Sequence, residues 1–247
     1  MSRYQPSFGG FGFVRWTPAV KVLIISCVVA YFLQIFDRMA GSPAFTSKFG
    51  LTPADVTQKF YLWQLVTYMF LHAISQPFHI LFNMLGLWMF GSELEQVWGT
   101  RQFTKFFFIC GIGAGVLTIL LSPYSVATTI GASGAIYGIL AAFALLFPNR
   151  IIYFIIFPIP AKWFVLGLGA IAFISSLSAT GNGVANVAHL GGMLCGLFYL
   201  RGGRLFSGIK WRYDRWQRAR LRRKFEVYYN ERRRDDDDQQ KWRRWRN

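Results

Sequence analysis

The feature that most limits what this chain can fold into is its series of apolar runs separated by polar breaks. Windows of about 20 residues pick out candidate spans near residues 20–36, 78–91, 103–121, 132–148, 163–178 and 184–200. Backbone placed in hydrocarbon must satisfy its own N–H and C=O groups, so runs of this kind become helices. Several are short or rich in glycine, which suits a packed bundle better than isolated anchors. The expected fold class is an all-α polytopic membrane protein of six transmembrane helices. Its parts are a cytoplasmic N-terminal segment (1–19), a membrane domain (20–200) and a basic cytoplasmic tail (201–247). The apolar stretch from Ile151 to Pro160 is read as a loop at the membrane surface, because Pro158 and Pro160 make it a poor spanning helix.

Charge sets the orientation. Of 27 Lys and Arg, 17 fall from Arg201 onward together with 7 of the 11 acids, so the tail carries about +10. Six spans put both termini on one side, and the positive-inside rule makes that side cytoplasmic. The first outer loop, residues 37–77, breaks the pattern with Arg38, Lys48 and Lys59. With Trp63 and Tyr68 placed as an interfacial belt, it reads as a structure lying in the outer leaflet. A basic segment directly after a span enforces topology or meets anionic headgroups, so membrane lipids are expected partners of the tail and nucleic acid is not. The alternative is that its interleaved aromatic and basic residues grip nucleic acid. Cys27, Cys110 and Cys195 all sit inside apolar runs and read as buried thiols without a disulfide framework. No Ala-x-Ala type cleavage site follows the first residues, so the first apolar run is expected to stay in the protein.

Polar residues inside such runs are costly and ask for a partner or a job. With this topology spans two, four and six all enter from the outside, and each carries its odd residues near its N-terminal end. His79 and Asn83 open span two in FHILFN, Ser133 opens span four in GASGAIYG, and His189 sits early in span six in ANVAHLGGMLCG. His79 and Asn83 are i and i+4, as are Ser133 and Tyr137, so each pair shares a helix face. Gly134 with Gly138, and Gly192 with Gly196, are small-x-x-x-small pairs that let two helices approach, which brings Ser133 to His189. A neutral imidazole is the usual base for a serine hydroxyl. His79, Asn83 and the Ser133 backbone amide are the donors at that depth for an oxyanion. Outside the tail the acids are Asp37, Asp55, Glu93 and Glu95, none placed to orient the histidine, so a Ser/His dyad is expected rather than a triad.

HILFN, GASGAIYG and AHLGG, in that order across most of residues 60–200, resemble the three signatures of the rhomboid intramembrane serine proteases. The resemblance implies a six-helix rhomboid-like bundle of the bacterial type, in a bacterial inner (plasma) membrane, acting as an endopeptidase on transmembrane segments of membrane-protein substrates. It implies Ser133 as nucleophile and His189 as base, with His79, Asn83 and the backbone around Ser133 forming the oxyanion hole. Tyr137 would pack on the His189 ring and Gly131 would hold the turn before the serine. Glu95 in GSELEQVWG matches a structural glutamate of the family, and the family's Trp-Arg pair appears here as Trp63-Gln64. No metal and no organic cofactor is needed. Two rivals stay open: a catalytically dead rhomboid-like binder of membrane helices, and a zinc site built from His72, His79 and His189, although no H-E-x-x-H sequence is present.

Overall fold

The structure is a computed structural model that describes residues 16–41, 44–154, 157–176, 183–202, 215–219 and 221. Residues up to Gly202 make one compact unit and those from Gly203 onward a second. The start of the N-terminal segment and nearly all of the basic tail lie outside the described residues, and the first unit is described below.

That unit is built of helices. α1 (Pro18–Met39) opens with proline at its first turn, where the missing N–H costs nothing. Pro53 and Pro77 open α3 (Pro53–Lys59) and α5 (Pro77–Gly86) in the same way. α5 continues through a π-helical turn (Leu87–Gly91) into α6 (Ser92–Trp98), so the helix expected near 78–91 runs seven residues further. It stops at Gly99, whose φ of +81° suits only glycine there. The extra turns are held from outside the helix. Glu95, 3% exposed, accepts the Ala19 and Val20 N–H groups at 2.9 and 3.0 Å and the Thr100 hydroxyl at 2.7 Å. A carboxylate thus caps the open amides at the start of α1.

α7 (Thr100–Leu121), α8 (Ser133–Leu146) and α10 (Gly183–Arg201) pack against one another, and α9 (Ala161–Ser176) lies on α10 and α8. Among the described helices, α1 and α7 are long and apolar enough to cross a membrane by length and composition; α8 and α9 are apolar but shorter. Glycine sets the distance between α8 and α10. A Cβ built on Gly192 would overlap the carbonyl oxygen of Gly134, and one on Gly196 would lie 3.1 Å from Gly138 Cα. Backbone therefore meets backbone along this seam.

Two expectations are corrected. The stretch from Ile151 to Pro160 is not an irregular loop but an antiparallel hairpin, β1 (Ile151–Phe154) and β2 (Phe157–Pro160), so the fold is not purely α. Its β-branched isoleucines favour extended backbone, and its two prolines tolerate a two-stranded edge that a helix interior would refuse. Tyr68 is not an interfacial belt residue. It is 1% exposed, and its hydroxyl donates to the Gly111 carbonyl of α7 at 2.7 Å, burying the ring among helices. Trp63 keeps the expected surface position at 42% exposed, with its indole N–H on the Lys48 carbonyl at 3.0 Å.

The segment between α1 and α5 holds α2 (Ala44–Phe49), α3, α4 (Gln64–Thr67) and a 3-10 turn (Tyr68–Phe70). It is stitched to the strand of chain that precedes α8. Leu51 and Thr129 exchange backbone hydrogen bonds at 3.0 and 2.8 Å, the Thr52 and Thr128 hydroxyls are 2.8 Å apart, and the Gly131 N–H donates to the Tyr68 carbonyl at 2.9 Å. Gln64, wholly buried, accepts from the Thr52 N–H at 3.0 Å and donates to the Lys48 carbonyl at 3.3 Å. The entrance to α8 is thereby fixed on one side by this loop and on the other by α10.

Candidate active site

Ser133 is the first residue of α8, following Ala132 at the cap position and Gly131 at φ +125°. A helix N-terminus carries unpaired amides and positive dipole, so a side chain there sits where negative charge is favoured. The Ser133 Oγ lies 2.7 Å from His189 Nε2. That is the distance of a well-formed hydrogen bond, and it joins residues 56 positions apart on α8 and α10. The close seam at Gly134 and Gly192 explains how the two helices come near enough.

His189 is backed by an aromatic wall. The Tyr137 ring stacks on the imidazole with centroids 4.4 Å apart and an interplanar angle of 3°. Tyr137 follows Ser133 by four residues on α8, so one helix face supplies both the hydroxyl and the surface that fixes the ring.

α5 brings the third group. A Cβ built on Gly131 would lie 3.0 Å from His79 Nε2, 3.1 Å from His79 Cε1 and 3.7 Å from Ser133 Oγ. His79, Gly131 and Ser133 therefore border one small space, which only a glycine leaves open at that φ. The proton on His79 can be assigned from its neighbours. The Ala73 N–H donates to His79 Nδ1 at 3.3 Å, and an amide nitrogen can only donate, so Nδ1 is the acceptor and Nε2 carries the hydrogen. Asn83 is buried, and its amide nitrogen donates to the His79 carbonyl at 2.7 Å one turn earlier, which leaves its second N–H for another acceptor. Of the six residues expected at the site, Gly131, Ser133, Tyr137, His189 and His79 come together here, while Asn83 is tied to the His79 carbonyl on its own helix.

His72 is buried outside the helix, with its ring 5.3 Å from that of His79 in an edge-on arrangement. Among the described residues no three His, Cys, Asp or Glu side chains gather as a metal site would require. Sequence reasoning missed Gln34 of α1, 2% exposed, which accepts from the His72 N–H at 3.0 Å. The available signal was a lone amide in the apolar run VVAYFLQIF.

Fold and site together define a helical, largely apolar protein with a serine hydroxyl bonded to an imidazole between two glycine-seamed helices. The sequence model of the Rhomboid domain matches residues 59–204, well over half of the chain. The chain belongs to the rhomboid family, a membrane-embedded family known for intramembrane serine proteases. It is 32% identical over 126 residues to Rhomboid protein 1, mitochondrial, of Saccharomyces cerevisiae, 49% of this chain and 36% of that protein. It is 26% identical over 186 residues to Rhomboid-like protease 3 of Toxoplasma gondii, 74% of this chain and 66% of that protein. It is 31% identical over 142 residues to Rhomboid protease GluP of Bacillus subtilis, 55% of this chain and 25% of that protein. The matched stretches thus span from a quarter to about two thirds of these relatives.

Proposed function

We propose that this protein is an intramembrane serine endopeptidase that cleaves transmembrane segments of other membrane proteins through a Ser133/His189 dyad. The observation that carries the reading is the 2.7 Å bond between Ser133 Oγ and His189 Nε2 in a chain of the rhomboid family.

The chemistry follows from the site. Ser133 Oγ attacks the amide carbonyl of the substrate while His189 Nε2 takes its proton. The oxygen of the tetrahedral intermediate is met by His79 Nε2–H, by the free N–H of Asn83 and by the Ser133 backbone amide at the start of α8. His189 then passes its proton to the leaving amine, and an acyl ester on Ser133 remains until water, activated by the same imidazole, hydrolyses it. No carboxylate orients His189 in this scheme; the stacked Tyr137 ring takes over the task of holding it. No metal or organic cofactor enters.

Helix length supports a site below the outer surface. At about 1.5 Å per residue the 14 residues of α8 reach about 21 Å, short of a hydrocarbon core of about 30 Å. With six spans and both termini on the cytoplasmic side, as in a bacterial plasma membrane, an untilted α8 ending at the inner boundary puts Ser133 about 9 Å below the outer one. The substrate partner is accordingly a transmembrane helix that unwinds locally to offer its amide, and the basic tail meets anionic lipid rather than nucleic acid.

The test is cleavage of a generic single-span substrate by purified protein in detergent, compared with Ser133→Ala. Cleavage that depends on Ser133 supports the reading; an equal rate in Ser133→Ala refutes it.

A further inference from the structure

We infer that Gln34, on α1, is a positioning residue that sets the tautomer and aim of the His79 imidazole. The inference rests on His79 acting as an oxyanion donor.

Gln34 lies in the apolar run of α1 yet is 2% exposed, and burying an unpaired amide there is costly. Both of its ends are used. Its Oε1 accepts the His72 N–H at 3.0 Å, and its Nε2 donates to the Thr46 hydroxyl at 2.9 Å. The identity of the partner fixes which end is which, since a backbone N–H must meet the oxygen. The next amide along the chain is that of Ala73, which donates to His79 Nδ1. Gln34 therefore holds the peptide of His72 in place, and the following peptide holds the imidazole.

The Ala73 bond is long, at 3.3 Å, so a small shift of the peptide is enough to lose it. A bond near the outer limit for N–H donors tolerates little further movement. The rest of the turn cannot substitute for Gln34: the Gln76 N–H bonds back to Ala73 O at 3.2 Å and the His79 N–H to Gln76 O at 2.8 Å, which closes the turn without fixing the Ala73 N–H. His72 adds a lateral stop, its ring edge-on to His79 at 5.3 Å and its Nδ1 3.2 Å from the Phe70 carbonyl. If the Ala73 N–H swings away, Nδ1 is free to carry the proton. Nε2, facing the space beside Gly131, then becomes an acceptor that repels an oxyanion instead of a donor that stabilises it.

A purely structural Gln34 would lower stability when replaced and leave the imidazole alone. The two roles separate on a spectroscopic readout and a kinetic split. The chain holds 3 histidines, so the imidazole nitrogens of full-length protein labelled with 15N-histidine can be followed one by one, with His72→Ala and His79→Ala used for assignment. Wild-type protein at neutral pH is expected to show His79 with its proton on Nε2. Gln34→Met, similar in shape but without the acceptor, is expected to lose that single tautomer and to lower kcat about tenfold while KM stays within about twofold, the scale seen when a supporting partner is removed. A wild-type His79 protonated on Nδ1 overturns the inference, and this reading needs no variant to fold. So does Gln34→Met with unchanged kcat, or with lowered kcat and an unchanged His79 tautomer. His79→Ala measured beside them keeps the two claims apart. If it leaves turnover unaltered, the oxyanion role fails; if it lowers turnover while Gln34→Met does not, only the role of Gln34 fails.

Discussion

Adding one methyl group at Gly192 is expected to abolish the proposed cleavage without touching either dyad residue. The new Cβ overlaps the Gly134 carbonyl oxygen and lies 2.5 Å from the Gly134 carbonyl carbon and 3.1 Å from its Cα. Comfortable contact begins at 3.4 Å. The obstacles are backbone, which cannot rotate aside, so α8 and α10 must part by about 1–1.5 Å. Gly134 adjoins Ser133, and Gly192 is one turn from His189. The displacement therefore passes directly into their 2.7 Å bond and stretches it to about 3.5 Å or more, beyond a useful hydrogen bond. Misplacement of this size costs about 100-fold in rate, and overpacking costs about 1–3 kcal/mol of stability. The assay is turnover of a labelled transmembrane substrate in detergent micelles, with kcat and KM taken from a substrate titration and folding followed by circular dichroism. Gly167→Ala on α9 is the control, since its Cβ meets nothing within 4 Å, and it should keep wild-type turnover. Wild-type kcat in Gly192→Ala would show that the glycine seam does not set the dyad geometry.

Other outcomes follow from the same contacts. Ser133→Ala and His189→Ala should each abolish cleavage in folded protein, and the double variant should lose no more than either alone, because the two act as one unit; independent, multiplying losses in the same substrate assay would break the dyad. Glu95→Ala leaves the Ala19 and Val20 amides without their acceptor and should cost about 2–4 kcal/mol, read as a lower thermal midpoint, while kcat measured well below that midpoint stays within about twofold. Truncation after Gly208 should preserve cleavage in detergent, since Ser133 and His189 both belong to the unit that ends at Gly202; an inserted, folded but inactive truncation would give the tail a part in the chemistry.

Much of this was legible in the sequence because each catalytic candidate announces itself locally. Ser133, His79, Asn83 and His189 are polar residues in apolar runs, and the glycine spacings beside Ser133 and His189 state which helices touch. The helices fall close to the expected spans, α1 at Pro18–Met39 and α10 at Gly183–Arg201 among them, because periods of apolar residue and prolines at first turns mark their limits. What was not legible depends on long-range partners. Tyr68 resembles any interfacial tyrosine until the Gly111 carbonyl is found opposite its hydroxyl. Glu95 is marked as structural only by the resemblance, and its partners, the Ala19 and Val20 N–H groups, lie more than 70 residues away. The hairpin from Ile151 to Pro160 depends on pairing between strands too short to show an alternating pattern. Gln34 is a lone amide in an apolar run until Thr46, 12 residues on, and His72, 38 residues on, are found against it.

The central claim is that Ser133 is a nucleophile activated by His189, and covalent capture tests it most directly. Folded wild-type protein is incubated with a fluorophosphonate probe, digested, and the modified peptide sequenced by mass spectrometry, with His189→Ala and a chelator-treated sample run in parallel. The account predicts one phosphonylated residue, Ser133, labelling strongly reduced in His189→Ala, cleavage activity lost in step with labelling, and no effect of the chelator. Labelling at another residue, or failure to label alongside cleavage that stops with the chelator and returns with metal, would contradict it and reassign His79 and His189 as metal ligands.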